Sequence, residues 1–174
     1  MLKVELDRIA FRKGAFLCCL TIALLGFALR SFALDVPSPV AAVHAADDSW
    51  VKAYNSGDLG TVVSLYDEHA VIYPPGAPPV HGGAAIRAFF VKDNAEFLRS
   101  GLIFSLGTNP DGGVRGNSGW SSGTYVVKDK SGRVVDTGWY FSVSQKVAGK
   151  WLYVRDAWNS DGPPMKTPLA PTKK

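Results

Sequence analysis

Asp156 is the side chain of this 174-residue sequence best suited to acid or base chemistry. It lies in residues 151–159, where side chains alternate as in a β-strand. The two faces of this strand would carry Leu152, Val154, Asp156 and Trp158 on one side, and Trp151, Tyr153, Arg155, Ala157 and Asn159 on the other. Apolar neighbours would raise the pKa of the carboxylate and suit it to proton transfer. The alternative is a structural carboxylate, held by an arginine or an indole N–H.

The histidines are weaker candidates for chemistry. His81, in the segment Pro-Pro-Val-His-Gly-Gly, is the best of the three for proton transfer. Its alternative role is a hydrogen bond to the backbone of its own loop. His69 is expected to be an exposed cap at a helix-to-strand junction, and His44 falls in a linker and is given no role.

Aromatic residues predict a cavity. Trp50 and Tyr54 are four residues apart and share a face of the first predicted helix. The other residues expected to line the cavity, besides Val154 on the Asp156 face, are Tyr73, Trp120, Trp139, Phe141 and Trp158. Such a pocket would bind a small apolar or aromatic molecule. The alternative is that several of these aromatic side chains are ordinary core.

Several classes of site have no sequence signal. Neither H-x-x-x-H nor C-x-x-C occurs, Gly82-Gly83 lacks the lysine of a phosphate-binding loop, and there is no G-x-S-x-G. We therefore expect no metal and no cofactor. Basic residues form no continuous patch, so nucleic-acid binding is not expected either.

The N-terminus has the pattern of a secretory signal peptide over residues 1–33. Basic residues precede an uncharged run of 16 residues, which small residues follow. That run is shorter than the roughly 20 residues that span a bilayer, so an uncleaved anchor is the weaker alternative. Cleavage would leave 14 basic and 13 acidic residues, a net charge of +1, and would remove both cysteines. We predict a periplasmic or secreted protein with no membrane contact after cleavage, cut after Ala33 or Ala45.

Capping residues and periodicity predict helices in the first half of the mature chain. A linker (34–46) passes into a first helix, around Val40 or later, that ends at Asn55-Ser56-Gly57. Asp58 would cap a second helix that extends to Tyr66. A short strand (70–73) and a proline loop precede a third helix (84–99), which Ser100-Gly101 ends.

The second half alternates as strands do. Strands are predicted at 102–106, 120–127, 134–147 and 151–159, with an interruption of the third at Gly138 and a turn at residues 109–113. Short turns between successive strands favour an antiparallel meander. Residues 162–174 are expected to be an irregular tail rich in proline and lysine.

The segments 50–90 and 149–161 resemble the nuclear transport factor 2-like superfamily, and within it the SnoaL-like and ketosteroid-isomerase-like domains. The resemblance covers residues 47–161. It implies a cone-shaped α+β fold in which three N-terminal helices pack on a curved antiparallel sheet around one pocket. The resemblance also implies that Asp156 faces inward with Val154 and Trp158. Our own hypothesis adds a homodimer through the outer face of the sheet. One fold hosts many reactions, so activity does not follow from the resemblance.

The catalytic groups of ketosteroid isomerase are not preserved. Its tyrosine position falls on Trp50, its general base on Pro74 and its oxyanion-hole aspartate near Phe141. Proline and phenylalanine cannot move a proton, so ketosteroid isomerisation is not expected. The sequence favours an exported small-molecule-binding domain, with isomerase, cyclase or dehydratase chemistry by Asp156 if it is an enzyme. The alternative is a non-catalytic association module.

Overall fold

The structure is a computed structural model that describes residues 38–162. The predicted signal peptide with both cysteines, residues 34–37 of the predicted linker and residues 163–174 of the predicted tail lie outside the described residues. Within the described range, no helix is both long enough and apolar enough to cross a membrane.

Helix α1 (Pro39–Ser56) has a capping residue at each end. The Ser38 hydroxyl accepts the amide hydrogen bond of Ala41 at 3.1 Å, and Gly57 adopts a left-handed φ of 78° after the last turn. The predicted end is confirmed. The predicted linker is too long, because residues 39–46 belong to α1: a proline needs no amide partner at the first helical position.

Helix α2 (Leu59–Ser64) is capped by Asp58, whose carboxylate accepts the amide hydrogen bond of Thr61 at 3.0 Å. The prediction that this helix reaches Tyr66 is wrong, because Tyr66 already pairs with the last strand and begins β1 (Tyr66–Tyr73). His69 therefore lies within a strand, not at a junction. Helix α3 (Gly83–Arg99) ends as predicted, with Ser100 as its C-cap.

The remaining strands are β2 (Val80–His81), β3 (Ile103–Leu106), β4 (Asp111–Arg115), β5 (Ser118–Lys128), β6 (Val134–Val147) and β7 (Lys150–Ser160). They form one sheet in the order β2-β1-β7-β6-β5-β3, with β4 also paired to β5. The predicted antiparallel meander is confirmed for β5, β6 and β7. Between β1 and β7, however, the pairing is parallel.

Two predictions based on glycine are wrong. Residues 111–113 form a strand and not a turn, because Gly112 and Gly113 let the chain pass close to neighbouring rings: a Cβ at Gly112 would lie 2.8 Å from His44, and one at Gly113 would lie 2.6 Å from the Trp120 indole. Gly138 does not interrupt β6, and it pairs with Tyr125 on one side and Ser160 on the other.

A bulge in β7 changes which residues share a face. Val143 pairs with Arg155 and the next residue, Ser144, pairs with Tyr153, so Val154 has no partner on β6. The extra residue brings Tyr153 to the same face as Asp156. The predicted alternation is therefore wrong at this point, and Tyr153 is 3% exposed in the core.

Helices α1 and α3 pack against one face of the curved sheet, which we call the inner face. The fully buried core between them includes Val62, Ala70, Ile72, Ile86 and Phe90. Asn55 fastens α1 to β3 through two hydrogen bonds with the backbone of Phe104, at 2.8 and 2.9 Å. The buried Asn94 of α3 donates to the Tyr54 carbonyl at 2.7 Å. These contacts fix the helices over the sheet.

Candidate functional site

A cavity of about 180 Å³ lies between the inner sheet face and helices α1 and α3. Its walls are mostly aromatic. Trp50 and Tyr54 stack at 4.7 Å between ring centroids, as their spacing on α1 predicts, and Phe104 stacks on Tyr125 at 5.0 Å. The other aromatic lining residues are Phe90, Phe97, Tyr140, Tyr153 and Trp158.

Asp156 lies in the wall of this cavity, held by two hydroxyl groups. Tyr66 donates to its carboxylate at 2.6 Å and Ser142 at 2.9 Å. The residue is partly exposed towards the cavity, yet its carboxylate is desolvated, and burial raises its pKa to about 6 despite both hydrogen bonds. A carboxyl group with this pKa exchanges protons near neutral pH, as a general acid or base must.

Asp47 is a second buried carboxylate in the wall, at 5% exposure. Tyr153 donates to it at 2.6 Å and Ser121 at 3.2 Å, while His44 Nδ1 lies 3.6 Å from its other oxygen. Burial raises the pKa of Asp47. A second cavity of about 250 Å³, on the His44 side, shares Asp47, Leu106 and Tyr140 with the first. Asp47 therefore lies at the boundary between two cavities.

Two further aspartates in the cavity wall each accept a hydrogen bond from a tyrosine hydroxyl. Tyr54 donates to Asp93 at 2.5 Å, and Tyr125 donates to Asp136 at 3.2 Å. Burial also raises the pKa of Asp93. Each of the four lining carboxylates thus accepts a tyrosine hydroxyl, in the pairs Tyr153–Asp47, Tyr54–Asp93, Tyr125–Asp136 and Tyr66–Asp156.

Four of the residues predicted for the site meet at this cavity. They are Trp50, Tyr54, Asp156 and Trp158. Val154 does not line it, because the bulge displaces this residue from the strand pairing. His81 pairs with Val71 at the edge of the sheet and is exposed. Its strand β2 is the edge strand of the sheet, and His81 does not line the cavity.

Four predicted pocket aromatics lie instead on the outer face of the sheet. Trp139 and Phe141 are 47% and 42% exposed, because odd-numbered residues of β6 point away from the helices. Tyr73 lies in the same cross-strand row as Phe141, through Ala157. Trp120 stacks on Phe141 at 6.2 Å. These four residues form what we call the outer aromatic patch.

Sequence reasoning missed Asp47, Asp93 and Asp136, although helical spacing carried a signal for the first two. Asp47 is three residues before Trp50 and seven before Tyr54, so all three share a face of α1. In the same way Asp93 lies between Phe90 and Phe97 on one face of α3. In each of the two helices, an aspartate on the same face as the aromatic residues indicates a carboxylate in the cavity wall.

Helices packed over one face of an open curved sheet, with a cavity between the layers, define the cone-shaped nuclear transport factor 2-like fold. A family model described as SnoaL-like domain matches residues 48–101. No curated protein matches the chain. As predicted, the chain has the nuclear transport factor 2-like fold, and residues 48–101 match the SnoaL-like domain.

Solved structures similar to this one are described as proteins with different roles. A nuclear transport factor 2-like protein with a cystatin-like fold from Novosphingobium aromaticivorans is 19% identical, with a TM-score of 0.63 over 71% of this chain and 83% of its own. A candidate dehydratase from the same family in Streptomyces avermitilis is 18% identical (TM-score 0.60, 71% and 96%). A candidate calcium/calmodulin-dependent protein kinase II association domain from Xanthomonas campestris is 23% identical (TM-score 0.56, 68% and 84%).

Proposed function

We propose that this chain is an exported protein that binds a small apolar or aromatic molecule in the aromatic cavity and transfers a proton to or from it through Asp156. The observation that carries the proposal is the desolvated carboxylate in the cavity wall, beside Trp158 and with a pKa near neutrality. The reaction classes that fit are isomerisation, cyclisation and dehydration, each of which needs a positioned acid or base. A similar structure described as a candidate dehydratase supports this range.

Export rests on the N-terminal sequence, in which basic residues precede an uncharged run. Native mass spectrometry of the protein purified from the envelope fraction of its host tests both parts of the proposal. We expect the mass of a chain cut after Ala33, together with a co-purifying small molecule, because a cut after Ala45 would remove the first turns of α1 and the buried Val43. An uncleaved chain would contradict processing of the signal peptide.

Binding is tested directly with Trp158→Ala. Trp158 stacks over Phe90 in the cavity wall at 6.5 Å between ring centroids, so truncation removes a contact surface of the ligand. We expect the affinity for a neutral aromatic probe, 2-naphthylmethanol, to fall by about tenfold or more in calorimetric titration.

The matched control is Trp139→Ala, which removes the same side chain from the outer aromatic patch. It should leave the affinity for 2-naphthylmethanol unchanged. Equal losses in the two variants would contradict binding in the cavity, as would a wild-type protein that does not bind the probe.

The outer aromatic patch favours a second function, association with another copy of the chain. Three of its side chains are more than 40% exposed on the face opposite the cavity. A homodimer through this face would bury them against the same residues of the partner. The similar structure described as a candidate association domain supports this possibility.

Phe141→Glu tests the homodimer. A charge in the centre of the patch opposes its burial, so we expect the mass measured by light scattering during size-exclusion chromatography to fall from dimer to monomer. Val134→Glu, at an exposed apolar position of the same strand outside the patch, should remain dimeric. A monomeric wild-type chain would contradict the homodimer and leave the cavity proposal untouched.

A further inference from the structure

The acidic side chains of this cavity have no basic partner within the described part of its wall; His44, 3.6 Å from Asp47, lines the second cavity instead. Its four aspartates come from four different elements, namely α1, α3, β6 and β7. Among the described residues that line it there is no lysine, arginine or histidine. The tyrosine hydroxyls donate hydrogen bonds to these carboxylates, but a neutral donor supplies no compensating charge.

Without a basic residue among the described residues of its wall, the cavity holds ionised carboxylates at a cost in free energy. Desolvation opposes ionisation of Asp47, Asp93 and Asp156, and the charge on Asp47 further raises the pKa of Asp156. Two arrangements relieve the cost: the carboxylates take up protons, or a cation enters. The tyrosines favour the second, because they donate to the ionised form of each aspartate and so hold an acceptor ready.

The other wall atoms suit a cation too. The rings of Trp50, Tyr54 and Phe90 line the cavity, and aromatic rings attract organic cations within about 6 Å. An inorganic cation would gain little from these rings. The volume of about 180 Å³ is below the roughly 300 Å³ at which drug-sized pockets begin.

We infer that the ligand of this cavity is a small organic cation, an amine with an apolar or aromatic body. The inference rests on the proposed function, since it names the chemical class of the molecule bound there. The ammonium group lies against the aspartates, and the body of the molecule lies against the aromatic rings. Asp156 is then placed to exchange a proton with a group of the bound amine.

The test compares three probes of equal shape, 2-naphthylmethylamine, 2-naphthylmethanol and 2-naphthoate, by calorimetric titration of the full processed protein at pH 7.5. We expect the amine to bind at least about tenfold more tightly than the alcohol, and the carboxylate not to bind. At pH 5 the preference for the amine should shrink, because protonated carboxyl groups no longer attract it.

Asp93→Asn identifies the source of the preference. It removes one charge from the wall while keeping an acceptor for the Tyr54 hydroxyl, so we expect the affinity for the amine to fall more than the affinity for the alcohol. Retained binding of the alcohol also shows that the variant is folded. Asp111→Asn removes an exposed aspartate of β4 and should behave as wild type.

The outcomes separate the two proposals. An alcohol that binds as tightly as the amine at pH 7.5 would overturn the cationic ligand while leaving binding in the cavity intact. Failure of all three probes would overturn both.

Discussion

Replacing Asp156 by asparagine is expected to stabilise the protein at pH 7 and at the same time to abolish its acid/base activity. The asparagine keeps an acceptor for Tyr66 and a polar partner for Ser142 but carries no charge. The opposite signs of the two effects distinguish a functional carboxylate from a structural one, because removal of a structural carboxylate costs stability.

The raised pKa of Asp156 sets the size of the expected change in stability. The pKa of Asp156 is raised to about 6 in the folded protein, above the ordinary value of 3.8 expected in the unfolded chain. The folded state thus binds more protons than the unfolded chain between these two pH values. The contribution of Asp156 to the free energy of unfolding is therefore fully present below about pH 4 and is lost as the pH rises through 6. The loss from this one group amounts to roughly 2–3 kcal/mol by pH 7.

Urea unfolding of wild type and Asp156→Asn at pH 4.5 and 7 measures the effect. We expect the stability of the variant to change less between the two pH values and to exceed that of wild type at pH 7. Tyr66→Phe is the control of opposite sign, since it removes a hydroxyl that favours the ionised carboxylate. An Asp156→Asn variant less stable than wild type at pH 7 would assign the residue a structural role.

Local signals in the sequence were sufficient for the helices and for most strands. The Gly57-Asp58 corner, the end of α3 near Gly101 and the two ends of β6 all follow from capping, turn chemistry and alternation. These features depend on residues close together in the chain. The parallel pairing of β1 with β7 does not, because nothing local encodes which strands meet.

The prediction of the cavity residues failed for the aromatic side chains of β6. In β6, Trp139 and Phe141 alternate with Tyr140 and Ser142, so the sequence separates the two sets but does not say which set faces the helices. The helices cover the even-numbered set. The bulge at Val154 is also invisible in the sequence, and it alone brings Tyr153 into the cavity with Asp156.

The buried aspartate Asp47 was missed for a different reason. The predicted linker (34–46) places Asp47 at the start of the first helix, where an acidic residue needs no further explanation. Since α1 begins at Pro39, Asp47 instead lies well inside the helix, on the face of Trp50 and Tyr54. The assignment of residues 34–46 to a linker was enough to hide a cavity residue.

Gly138→Ala is expected to destabilise the protein by about 3 kcal/mol and to disrupt the cavity wall. A Cβ at this position would overlap the backbone oxygen of Asn159 and would lie 2.5 Å from the Tyr125 ring. Tyr125 lies across Gly138 and donates to Asp136 and to the Asn159 carbonyl, each at 3.2 Å. The missing side chain thus makes room for one of the four tyrosine–aspartate pairs.

The matched control is Gly123→Ala, in the neighbouring glycine–tyrosine pair. A Cβ there would approach only the ring of Tyr140, at 2.9 Å, and a ring can shift where a backbone oxygen in a sheet cannot. We therefore expect a smaller loss of stability from Gly123→Ala than from Gly138→Ala in thermal unfolding. Equal stability of the two variants would show that the backbone of β7 moves freely beside β6, and that Gly138 is not needed to seat Tyr125 against Asp136.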